Sequence, residues 1–343
     1  MHMADALLSP AVGVTMCAVS AIAIVWSVKK IKKDDLCEKK IPVMGVMGAF
    51  IFAAQMINFT IPLTGSSGHI GGGILLAAMI GGFPALISMS AALIIQCLFF
   101  ADGGLLAIGC NIFNLGVIPC LIVYPLLFKP LVKNGFTFGR ITIASVAAVI
   151  IALQLGAFAV VLETLLSGIT KIPFLTFTFL MQPIHLAIGL AEGIITAAVL
   201  SFVYKARPEI IESSFDRKAI NNDVITRKIV IMLAVITLFA GGILSLFASS
   251  YPDGLEWAVE KVTGGTEPEV SGYIVEGAVS IQKKVSVMPG YNFKDTEIEG
   301  SKAGTAASGI AGGIITFLLA GVSAFAISLV KRKQKNSAVV SLR

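Results

Sequence analysis

The sequence predicts an all-α polytopic membrane protein: a seven-helix bundle, then a two-helix accessory unit with an extracytoplasmic loop. Three observations carry this prediction. The 343 residues are 56% hydrophobic and only 13% charged, against about a quarter charged in soluble domains. Mean hydropathy is +0.89, and several apolar runs reach the length that crosses a bilayer. The basic residues stand in short clusters between these runs, which is the habit of cytoplasmic loops. A net charge of +6 therefore points away from nucleic acid and toward a lipid bilayer.

Apolar runs place spans near 7–28, 41–60, 84–100, 105–128, 141–166, 183–204, 229–249 and 309–330. Asp5 with Ser9-Pro10 reads as the start of the first helix. No basic n-region precedes it, so Met1 is expected to be the mature N-terminus. The segment 66–83 is ambiguous, and the lysines resolve it. "KKIKKDDLCEKK" (29–40) holds six lysines, so it is assigned to the cytoplasm and the N-terminus to the outside. A separate short span over 66–83 then puts Lys129 to Arg140, Lys205 to Lys228 and the terminal "KRKQK" inside as well. Nine spans result, with 66–83 short, Gly-rich and sheltered by its neighbours.

The organisation follows. Residues 1–204 hold seven spans, 205–228 form a polar cytoplasmic linker, 229–330 carry the two accessory helices, and 331–343 are a basic cytoplasmic tail. Between the accessory helices lies an acidic outward segment, 250–308. The five cysteines (Cys17, Cys37, Cys97, Cys110, Cys120) form no CxxC pair and suggest neither disulfides nor a thiolate metal site.

On this topology "MHMADALLSP" and "TGSSGHIGGG" (64–73) share the outer face, so His2 and His69 can meet. A histidine in second position has unusual chemistry. The free amine of Met1, the backbone nitrogen of His2 and its imidazole close fused five- and six-membered rings round one metal, and His69 can add a fourth nitrogen. Four nitrogens in a plane suit Ni²⁺ or Cu²⁺, with Co²⁺ admitted where the site imposes that geometry. Since an amide must lose its proton, affinity should fall as pH drops. The plain alternative, two unrelated histidines, stands beside this one.

Gln55, Asn58, Ser67, Asp102 and Asn111 gather toward the same end, either orienting the ligands or joining helices. His185, placed at the opening of the seventh span, and Glu192 on the same face read as a polar packing pair or, less favoured, as a third ligand. Gly45, Ala49 and Ala53 recur every fourth residue, as does the set Ala303, Ala307, Ala311. Such stripes serve packing within the chain or the docking of a partner membrane subunit. There is no GxxxxGK[ST] phosphate loop, so any use of ATP needs separate subunits.

"MHMADALLSP", "AAQMINFTIP", "GSSGHIGGG" and "FFADGGLLAIGCNIFNLG" (99–116) together resemble the CbiM/NikM family, the substrate-binding S components of energy-coupling factor transporters. "YPDGLEWAVEK" (251–261) is similar to the PDGLE segment of the small CbiN/NikN-like accessory components, so the chain looks like a fusion of the two. The resemblance implies uptake of Ni²⁺ or Co²⁺ for nickel enzymes or cobalamin synthesis, without choosing between the metals. It implies a metal site on Met1, His2 and His69, and coupling-protein docking on Gly45, Ala49 and Ala53. It also implies a prokaryotic cell-membrane location with a membrane coupling (T) component and two cytoplasmic ATPases, which alone use ATP and Mg²⁺. The chain itself is then a transporter subunit and not an enzyme. A self-sufficient ion-coupled carrier or channel is the alternative.

Overall fold

The computed structural model describes residues 1–31, 40–215, 223–266, 272–294 and 302–340. Cys37 and most of the lysine-rich 29–40 segment lie outside these residues. Helix α1 runs Pro10–Lys30; Ser9 accepts from Val12 N at 3.4 Å, and Pro10 occupies the first helical position. Both are standard helix-start chemistry, since a proline there forfeits no helical hydrogen bond. Asp5 plays no part in it.

Helix α2 (Lys40–Gln55) ends earlier than the apolar run suggests. A small antiparallel hairpin follows, pairing β1 (Phe59–Ile61) with β2 (Ser66–Gly68). Helix α3 (Gly73–Ile80) has eight residues, every one buried. At 1.5 Å per residue it rises about 12 Å, too little for ~30 Å of hydrocarbon, so it fills only part of the expected 66–83 span, whose first residues form β2, and its neighbours shelter it. One residue, Gly81, separates it from α4 (Gly82–Phe100).

Helix α5 (Ile108–Ile112) continues as a π-helix over Phe113–Phe128 and closes as α6 (Lys129–Val132). Pro119 and Pro125 lie inside the wide segment; each lacks a donor N–H, and the looser winding accommodates their rings. Helix α7 (Phe138–Ser167) and α8 (Phe174–Ala206) pair along their length. The apolar run had placed the start of this span at 183, so His185 lies well inside α8 and does not open it. Helix α9 (Pro208–Phe215) folds part of the expected linker under the bundle, where Ser214 Oγ donates to Met79 O at 2.6 Å.

The accessory region comprises α10 (Asp223–Gly242), α11 (Gly254–Thr263), α12 (Tyr273–Val285) and α13 (Lys302–Val340). Helices α10 and α13 close on each other through Gly241 and Gly309; a Cβ at Gly241 would lie 3.0 Å from the Gly309 carbonyl. Seven helices among the described residues are long and apolar enough to cross a membrane. Lys29 and Lys30, Lys129, and Lys205 fall at one end of the bundle, where Lys129 Nζ donates to Phe215 O at 3.0 Å. His2, His69 and the 59–68 hairpin fall at the other.

The expected docking stripe needs correction. Gly45, Ala49 and Ala53 are all buried. A Cβ at Gly45 would stand 3.0 Å from Phe317 O, and one at Gly48 would stand 3.3 Å from Ala320 Cβ. The last helix covers this face, so small residues here serve packing within the chain. Nor is Ala303, Ala307, Ala311 the packed line of α13. Gly304, Ser308, Gly309, Gly312, Gly313, Thr316, Ala320, Ala324 and Ser328 are the buried positions among its described side chains.

Candidate metal centre

The first eight residues are anchored by backbone capture. Asp5 is buried, and its carboxylate accepts from Leu105 N (3.1 Å), Leu106 N (2.8 Å) and Ala107 N (3.0 Å). These donors belong to the turn that leads into α5. Three N–H bonds hold this carboxyl in place even though burial raises its pKa. Asn111 accepts from Met3 N at 2.7 Å and donates to Met3 O at 3.3 Å. The Met1 thioether reaches α7 at Gly156, where an added Cβ would lie 3.1 Å from Met1 Cε. Together these bonds and this contact place the chain start inside the bundle.

The loop carrying His69 is clamped from both sides. Gln55 Nε2 donates to Gly71 O at 3.0 Å, and Gln96 Nε2 donates to Gln55 Oε1 at 2.9 Å. From α8, the Glu192 carboxylate accepts from Gly71 N and Gly72 N, both at 2.8 Å. Gly72 has φ +78°, in the left-handed region that glycine enters without a Cβ clash. Glu192 is therefore neither a ligand nor a partner of His185. His185 Nδ1 pairs with Met181 O at 2.8 Å, and its buried Nε2 has no hydrogen-bond partner among the described residues.

The clamps bring the expected ligands together. The Met1 amine lies 3.4 Å from His69 Nε2, and the His2 and His69 rings stack with centroids 5.1 Å apart at 17°. Burial lowers the pKa of His2, only partly opposed by Asp102. Burial also drives His69 well below the ordinary histidine value, helped by the neighbouring amine and His2. Both imidazoles are thereby kept neutral, the form that binds metal.

Among the described residues no group of three His, Cys, Asp or Glu side chains forms a metal cage. A four-donor set here must draw on the amine and a backbone nitrogen. With metal–nitrogen bonds of about 2.0 Å, neighbouring corners of a plane are about 2.9 Å apart, so the amine and His69 need close by only half an ångström. His2 Nδ1 is the nitrogen that completes a six-membered ring, and it faces Asp102 Oδ1 at 3.4 Å. Asp102 in turn accepts from the Tyr291 hydroxyl.

Of the other residues expected nearby, Asn58 lines the adjoining cavity. Ser67 serves a different purpose than orienting His69. Its N–H donates to Pro252 O at 2.8 Å, and its hydroxyl donates to Tyr251 O at 2.7 Å. It fastens the accessory segment to the histidine loop. Sequence reasoning missed Asp5, Glu192 as a backbone clamp, and Asp253. Asp253 comes from a position 252 residues from Met1, yet Oδ2 lies 2.8 Å from the Met1 amine and 3.9 Å from His69 Nε2. The quoted "PDGLE" string was the one signal that flagged it.

Both regions of the chain have relatives among known proteins. The CbiM family, described as a cobalt uptake substrate-specific transmembrane region, matches residues 2–210, and the PDGLE domain matches 227–329. A fused nickel transport protein, NikMN, of Archaeoglobus fulgidus is 29% identical over 326 residues, covering 93% of this chain and 96% of its own length. A metal transport protein of Haloquadratum walsbyi is 34% identical over 226 residues, covering 65% and 99%. A crystal structure of a transition metal transporter aligns with TM-score 0.53 at 28% identity, covering 63% of this chain and 97% of that one. A truncated transition metal transporter aligns with the same score and identity, covering 60% and 99%. The chain belongs to the CbiM family, a cobalt- and nickel-transport family of membrane proteins, and carries a PDGLE domain fused behind the CbiM region.

Proposed function

We propose that this chain captures Ni²⁺ or Co²⁺ from outside the cell as the substrate-binding subunit of an energy-coupling factor transporter. The single observation that carries the reading is the meeting of the Met1 amine, His2 and His69 at one buried point. The amine, the His2 amide nitrogen, His2 Nδ1 and His69 Nε2 supply the four nitrogens, and the ion exchanges its water for them. This reading needs the Met1 amine to be free, and in it the 1–204 and 229–330 regions act as capture unit and accessory unit. The N-terminal end faces outward, because every basic loop then faces the cytoplasm. ATP is hydrolysed on two partner ATPases, and a membrane coupling protein transmits their motion so that metal is released inside.

The test is a Ni²⁺ and Co²⁺ titration of the purified protein beside a version with several extra residues ahead of Met1. The native form is expected to bind one ion and the extended form none, because the extension removes the amine from the ring. Equal binding by both would end this reading.

A further inference from the structure

The opening PDGLE turn brings a carboxylate directly to the proposed nitrogens. Asp253 caps α11 with Oδ1, which accepts from Leu255 N at 2.8 Å and Glu256 N at 2.9 Å. Glu256 Oε2 returns the bond by accepting from Asp253 N at 2.9 Å, a complete capping box. The cap fixes the carboxyl group and leaves Oδ2 for other work. That oxygen lies 2.8 Å from the Met1 amine and 3.9 Å from His69 Nε2, beside two of the four proposed donors.

The turn is held rigidly against the histidine loop. Besides the two Ser67 bonds, Trp257 Nε1 donates to Thr64 O at 3.0 Å. The side chain of Asp253 is only 13% exposed, and it opens on a cavity of about 660 Å³ that His2, His69, Asp102 and Glu256 also line. The cavity is large enough for a hydrated ion. His2 lines this cavity as well, beside the Gln96 side chain.

We propose that Asp253 is itself a metal ligand: Oδ2 takes the hydrated divalent cation from this cavity and passes it to the Met1 amine and His69. The inference rests on the capture reading above. A carboxylate exchanges water on Ni²⁺ or Co²⁺ without any backbone proton first leaving, so it can hold the ion while the slower nitrogen chelate closes. As it closes, the amine and the His2 amide each give up a proton to water in the cavity, and metal–nitrogen bonds replace the N–H bonds. The PDGLE turn is on this account part of the binding site.

The alternative role, a counter-ion for the Met1 ammonium, predicts the opposite sign. Removing a competing counter-ion would free the amine and accelerate loading. The experiment is stopped-flow absorbance of Ni²⁺ binding to the full chain, comparing wild type with Asp253→Asn and Asp253→Ser. Both replacements are good helix caps, and Trp257 fluorescence reports whether the turn stays seated. The expected result is association slowed about tenfold or more in both variants, with one ion still bound at the end. Unchanged or faster association in a variant with wild-type Trp257 emission would overturn the proposal. If the variants load normally while the N-terminally extended chain binds nothing, only the Asp253 role is lost. If the extended chain also binds, the nitrogen site itself is wrong.

Discussion

The two regions of the chain use buried polarity in different ways. In residues 1–206 the buried polar side chains grip backbone: Asp5 holds three N–H groups, Glu192 holds two, and Gln55 and Asn111 hold the His69 loop and the chain start. Such bonds fix loops to within the tolerance a chelate needs. In the accessory region α10 and α13 are peripheral, with 28% of their apolar windows buried against 78% for α4. Their outward faces carry Val235, Phe239, Leu318 and Phe325, all exposed apolar groups suited to lipid. What this region gives the site comes from the short polar α11, the turn before it, and Tyr291, whose hydroxyl donates to Asp102. One region is a scaffold, and the other is a cover with one inserted carboxylate.

That contrast makes graded predictions. The largest effect should follow His69→Ala, which removes the fourth nitrogen. Ni²⁺ binding is expected to vanish by calorimetry, while the melting temperature of the protein changes little. Retained binding would show that the scaffold does not present the ligand attributed to it.

Next comes Glu192→Gln. It leaves the space filled but weakens the clamp on Gly71 N and Gly72 N, so His69 wanders. Outer partners of metal ligands are worth about 10- to 100-fold in affinity, and a loss of that size by titration is expected. An unchanged affinity would mean that the loop is held without α8.

The smallest effect on metal belongs to Ala320→Leu, aimed at the close approach of α13 to Gly48 of α2. Overpacking costs about 1–3 kcal/mol, which thermal unfolding should detect, while the metal affinity stays near that of the parent. If affinity fell as far as with Glu192→Gln, scaffold and cover could not be separated.

Some of this was legible in the residues themselves. Ser9-Pro10 announces the start of α1, and the lysine clusters place "MH" and "GH" at one end. A separate 66–83 segment followed from the same count, but its helix covers only Gly73–Ile80, because residues 66–68 pair as a strand, and neighbouring helices bury all eight helical residues. The reach of the hairpin was not legible, since an apolar run does not mark where a helix ends when the following backbone pairs with itself at Phe59–Ile61. The stripe on α2 read equally well as packing or docking, because small residues permit either. Only the position of Phe317 and Ala320 separates the two.

The sequence by itself determined the membrane class, the shared end of the two histidines and the chemistry open to a histidine in second place. These depend on composition, local spacing and charge counts, all of which are local properties. The tertiary structure alone decided that Asp5 would hold the turn before α5, that Glu192 would hold glycine backbone, and that Asp253 would meet the first amine. A carboxylate's partners are chosen by whichever donors folding leaves unmatched nearby, and those donors lie as much as 252 residues away in the chain.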